Sequence, residues 1–208
     1  MKFGHASLYF LSLLFTVLTT GWAAADSAPH HHQTKVWQVE KPYEHSEVLT
    51  AALGGKTYYN SKSGEARLEI GCVFDSPTRT RIPFALEVPA HRLDFNTNDY
   101  EGPDASKSGP LRMITGHREP VSYRVSGWIS GISGQEDDWI FGFGAAADIP
   151  EMRYWLTESA HGQRVTLTLP STIENDGPLT AEFVLPDDDS GLRKVIGPCL
   201  KASRSIDN

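Results

Sequence analysis

The stretch LTAEFVLPDDDSGLRKVIGPCL, Leu179 to Leu200, decides how the rest of the chain is read. Leu179, Ala181, Phe183 and Leu185 alternate with Thr180, Glu182 and Val184, the period of two that marks a half-buried strand. Pro186 ends it, because proline lacks the N–H that a sheet ladder needs. Asp187, Asp188, Asp189 and Ser190 then offer side-chain oxygens to the first amides of a helix. Leu192, Val195 and Ile196 form the inner stripe of that helix, Arg193 and Lys194 its outer face. Gly197-Pro198 is expected to stop it and deliver Cys199. Calcium does not explain the aspartates. Gly191 falls one position early for an EF-hand loop, and Ile196 and Gly197 stand where its closing glutamate belongs. The segment reads as a clasp, stapled to the body through Cys72, the one other cysteine.

Outward from the clasp, the N-terminus sets the compartment. Lys2, an apolar run from Leu8 to Leu18 and small residues at Ala23 to Ala25 have the pattern of a signal peptide over residues 1–25. The run is shorter than the ~20 apolar residues of a membrane helix, so cleavage is expected and not membrane insertion. No cysteine stands at the cleavage site to take a lipid. Cleavage would leave 183 of the 208 residues, in the periplasm or secreted. Net charge is −7, and −8 once Lys2 is lost, with basic residues scattered. That argues against nucleic acid or an anionic membrane surface as partner. In an oxidising compartment two cysteines most simply pair, closing a loop whose chain entropy is worth ~4–5 kcal/mol. Two free buried thiols are the less favoured alternative there, and without a Cys-x-x-Cys motif a redox role is less favoured still.

Residues 26–34 read as a polar tail. Its His30, His31 and His32 are weak metal candidates, since adjacent histidines without an ordered surround hold a divalent ion loosely. A solvated tail is the reading their setting favours, and no cofactor is expected. Residues 35–201 read as a single β-rich domain and 202–208 as a C-terminal tail. Strands are expected at 35–40, 66–74, 81–88, 121–129, 139–143 and 164–169. Pro83 suggests an edge position for the third of these. Residues 46–53 are ambiguous, a possible helical turn cut short by Gly54-Gly55. A helix over 148–159 carries Ile149, Met152, Trp155 and Leu156 as a stripe. The expected fold is mainly β, an antiparallel sandwich or curled sheet with one or two short helices and one disulfide.

Chemistry is sparse. There is no Gly-x-Ser-x-Gly elbow and no His-Glu-x-x-His, and His91, His117 and His161 are isolated. A catalytic group assembled in space stays open, but no catalytic residue is assigned. Glu136-Asp137-Asp138 reads as a solvated hairpin tip. The candidate binding residues are aromatic and basic. Arg124 and Trp128 share a strand face opposite Val121, Tyr123 and Val125, and if exposed would make an interaction hot spot. Aromatic stripes are more often core, so the favoured expectation is that Trp128 packs under the helix. Phe95 and Tyr100 are the aromatics of the long irregular segment 91–109, which is read as a solvated loop or a binding loop.

Leu68-Glu-Ile-Gly-Cys72, Val121-Ser-Tyr-Arg-Val125, Trp139 after an acidic turn, and the closing Ala181-Glu-Phe … Leu192-Arg … Cys199 occur in an order that resembles the periplasmic accessory proteins associated with type VI secretion, the VasI/TagO-like family. The likeness covers roughly Lys35 to Leu200. Ser126 stands where that family commonly has an aspartate, and 95–112 resembles an insertion. The resemblance implies a non-enzymatic accessory protein whose partner is an envelope or secretion-apparatus protein. Two other readings stay open: an inhibitor or immunity-type protein acting on a cell-wall enzyme or toxin through the loop 96–108, and a metal-dependent or hydrolytic enzyme.

Overall fold

The computed structural model describes residues 36–42, 44–76, 79–102, 110–132 and 139–204. The signal-peptide segment, His30 to His32, residues 103–109 of the long loop and the Glu136-Asp137-Asp138 tip lie outside the described residues. The strands are β1 Gln38–Glu40, β2 Thr50–Tyr59, β3 Lys62–Gly71, β4 Val73–Ser76, β5 Arg79–Arg81, β6 Pro83–Val88, β7 Leu111–Thr115, β8 Val121–Tyr123, β9 Ser126–Ile132, β10 Trp139–Ala146, β11 Arg164–Leu169 and β12 Leu179–Val184. Three helices punctuate them: α1 Ala90–Leu93, α2 Ile149–Trp155 and α3 Ser190–Arg204.

Among the described residues the strands form one antiparallel sheet in the order β8-β7-β11-β12-β2-β3-β6-β10-β9, with β1 also beside β2 and β4–β5 a separate hairpin. The run read as one strand from Val121 to Ile129 is two. β8 and β9 lie at opposite ends of the sheet, yet only Arg124 and Val125 separate them in the chain. Three residue steps reach about 10 Å at most. The sheet must therefore curl until its two ends meet at that corner.

Alternation fixes which face turns inward. Leu68 and Ile70 of β3, Phe84 and Leu86 of β6, Phe143 of β10, Leu167 of β11 and Phe183 of β12 are all buried on the concave side. α3 closes one end with Leu192, Val195, Ile196 and Leu200, and Trp37 stacks on Trp155 of α2 nearby, ring centroids 6.3 Å apart. The other end is plugged by the long irregular segment. Phe95 meets Tyr59 edge-on at 5.1 Å, and Tyr100 meets Phe143 at 5.4 Å. Edge-to-face contacts of this kind add to the area the rings bury. The Tyr100 hydroxyl donates to the Pro170 carbonyl at 2.6 Å, and burial pushes its pKa up to about 12.

Several expectations change. Gly54-Gly55 does not cut an element short. It lies inside β2, because a Cβ on Gly55 would stand 2.4 Å from Phe183 and from the Glu182 carbonyl of neighbouring β12. β6 is not an edge strand but runs between β3 and β10. Pro83 is tolerated as its first residue, where no ladder N–H is needed. Gly197-Pro198 does not stop α3, which continues to Arg204 and so takes in the start of the expected tail. Proline there forfeits a bond to the Lys194 carbonyl, and Lys194 and Pro198 lie on the exposed side. Gly197 before it lacks the Cβ that would crowd the proline ring. The disulfide and the buried Leu200 hold the last turns in place. Cys72 and Cys199 are bonded, with Cα atoms 5.8 Å apart.

Candidate functional site

The convex face of the sheet carries the site. Several outward positions on β6 and β10 are small: Ala85 pairs with Gly144, while Gly142 stands between Glu87 of β6 and Trp128 of β9. The Trp128 indole lies flat across these glycines. A Cβ on Gly144 would come within 2.6 Å of the ring, and one on Gly142 within 3.1 Å. The indole is thereby seated on the backbone of β10, and Trp128 remains 45% exposed. The expectation that Trp128 packs under a helix is overturned. Its neighbours on the convex side are Gly142 and Gly144 of the adjacent strand.

Beside the indole a cleft of about 510 Å³ opens across β3, β6 and β10. Its floor is Gly71, Pro83, Ala85, Gly144 and Ala146; Trp128, Ser126 and Arg124 form one wall, and Val48, Thr50 and Glu69 the opposite one. Val73 and Arg81, from the β4–β5 hairpin, close an end. The volume is within the range of small-molecule sites. Cys72 stands in the chain between Gly71 and Val73, so the disulfide ties the cleft wall to α3.

Charge around the cleft is of both signs. Arg67 holds Glu69 at 2.6 Å and Glu40 at 2.8 Å, with Glu87 at 3.6 Å. Burial alone would lower the pKa of Arg67, but its hydrogen bonds to Glu40 and Glu69 outweigh it and the value is raised. Three carboxylates around one guanidinium leave that side acidic. On the hairpin, Arg81 donates two hydrogen bonds to Asp75, at 2.6 and 2.8 Å, which raise the pKa of the Arg81 guanidinium. Arg124 stands on the Trp128 side.

The sequence-derived candidates therefore divide. Arg124 and Trp128 share the cleft. Phe95 and Tyr100, 5% and 0% exposed, belong to the core and form no surface, because the loop that carries them folds inward to plug the sheet. Small floor residues were missed, since alanine and glycine announce no chemistry. The legible signal was Gly142-Phe-Gly144, two glycines on the face of β10 opposite a buried phenylalanine.

The remaining ionisable groups are structural or scattered. Glu151, buried, accepts from the Thr115 hydroxyl at 2.5 Å and the Trp155 indole N–H at 3.0 Å, and pairs with Arg118 at 3.1 Å. It pins α2 to β7. His91 stacks on Trp139 at 6.4 Å, His117 is in the turn after β7, and His161 follows the 3-10 turn Glu158–Ala160. Among the described residues no group of three or more His, Cys, Asp or Glu could hold a metal. Comparison with family models, with curated proteins and with solved structures gives no match.

Proposed function

We propose that this chain is an exported, non-enzymatic accessory protein that binds a component of the cell envelope through the convex cleft. The observation that carries the reading is the half-exposed indole of Trp128, seated on two glycines beside a floor of small residues. A half-exposed indole seated on the sheet is the kind of anchor on which binding energy concentrates. The disulfide supports export, since such bonds persist in oxidising compartments. The resemblance to type VI secretion accessory proteins makes an envelope or secretion-apparatus component the partner to seek.

The test is retention of the purified chain by a washed envelope fraction, against Trp128→Ala under the same conditions. The expected result is retention of the native chain and a loss of about tenfold or more in the variant, equivalent to ~1.4 kcal/mol. Absence of retention, or equal retention of both proteins, would sink the reading.

A further inference from the structure

We infer that the ligand of the convex cleft is a saccharide of two or three rings, with no net charge or little of it. The inference rests on the cleft being the binding site proposed above, and it adds the chemical class of what enters.

Each alternative class meets an obstacle in the cleft. A peptide recognised through its main chain needs unpaired N–H and C=O groups on a sheet edge. The floor is made by β3, β6 and β10, which are internal strands paired on both sides. Their ladder bonds occupy the backbone groups, so recognition there falls to side chains. An anion would face Glu69, backed by Glu40 and Glu87 around a single Arg67. A cation would face Arg124 and Arg81 across the same opening. An acyl chain would be lodged in an open cleft with charged groups on its walls, where apolar surface stays partly in water.

A sugar meets all of these conditions. One face of a pyranose presents C–H groups, which suit a flat indole seated on the sheet. Its edge carries hydroxyls that both donate and accept. Glu69 and the hydroxyls of Thr50 and Ser126 accept, and Arg124 donates, so lining groups of both kinds are present on opposite walls. The small floor residues let a ring approach the sheet closely, and about 510 Å³ accommodates two to three rings with some water.

The test is titration of the full chain with cellobiose, maltotriose, N,N′-diacetylchitobiose and a muropeptide disaccharide, followed by calorimetry and by tryptophan fluorescence. At least one of the four is expected to bind with Kd at or below about 1 mM, equivalent to ~4 kcal/mol. Trp128→Ala should weaken that binding about tenfold or more, and Ala85→Leu, which fills the floor and keeps the indole, should weaken it as much. Matching melting temperatures would show that both variants fold. No binding of any of the four at about 10 mM would overturn the inference. So would binding that both variants leave unchanged. If envelope retention depends on Trp128 while none of the four sugars competes with it, the saccharide is wrong and the cleft reading survives.

Discussion

The two faces of β6 and β10 are made from the same residues in alternation and have opposite characters. Inward stand Phe84, Leu86, Phe141 and Phe143, all buried, with aromatic rings 4.9 Å apart between the last two. Outward stand Ala85, Gly142 and Gly144, so small that a neighbouring strand's indole lies across the backbone. Apart from Glu87, which turns to Arg67, the outer face offers little side chain to pack against. The inner face supplies fold stability, and the outer face is left shallow, which makes room for a ligand. Stability and binding should therefore separate cleanly by parity along these strands.

The largest test of that separation is Phe143→Ala. The ring is fully buried at the centre of the aromatic cluster, and its removal is expected to cost about 3–5 kcal/mol through lost burial and a residual cavity. In a domain of this size that is a fall in Tm on the order of 10 °C. Trp128→Ala, one strand away and on the other face, should cost about 1 kcal/mol or less, as half-exposed side chains generally do. Thermal denaturation of the two variants compares them directly. Equal losses would break the distinction between the faces.

Next in size is Cys199→Ser. The disulfide spans 127 residues of sequence, and its loss is expected to cost about 2–5 kcal/mol, mainly by freeing the unfolded chain. It also sharpens the comparison, because Cys72 lies between Gly71 and Val73 of the cleft wall while Cys199 is on the helix that closes the inner face. At a temperature where the variant is still folded, cleft binding should be retained. Melting unchanged from the native chain would remove the disulfide from the stabilising elements.

Legibility in the sequence follows the same division. β11 and β12 alternate cleanly, Arg164 to Leu169 and Leu179 to Val184, and were read with little error because burial on one face imposes the pattern. The mainly β class, the curled sheet and the Cys72–Cys199 bond were legible too. The corner at Arg124-Val125 was not, because alternation runs unbroken through it. Tyr123 and Val125 are both buried, and nothing local says that the strands on either side belong to opposite edges. Phe95 and Tyr100 were misplaced for the opposite reason. Asn, Asp, Ser and Gly around them read as a solvated loop, and only tertiary packing turns the aromatics inward. Half of the cleft was visible in Arg124 and Trp128. The floor was not, since its contribution is an absence of side chain.

The smallest effect expected concerns the start of α3, where neither face of the sheet is involved. The Asp188 carboxylate accepts the Ser190 amide at 2.8 Å, while the Asp189 carboxylate turns instead to Arg193. Of the four residues expected to offer capping oxygens, Asp188 takes the role. Hydrogen bonding to the Ser190 side chain and amide lowers the pKa of Asp188 below its ordinary value. A carboxylate with a depressed folded pKa contributes stability that is present above the unfolded value and lost as pH falls through the folded one. The native chain should thus lose this increment on acidification below the ordinary aspartate range near pH 4. Asp188→Asn carries no titrating group there, so the stability difference between the two proteins should shrink as the pH is lowered through that window. Asp188 is solvent-exposed and screened, so the change should be small, and denaturant titrations at neutral and acid pH would resolve it. A difference that stays constant across the window would mean that the Asp188 charge contributes nothing to holding α3 over the end of the sheet.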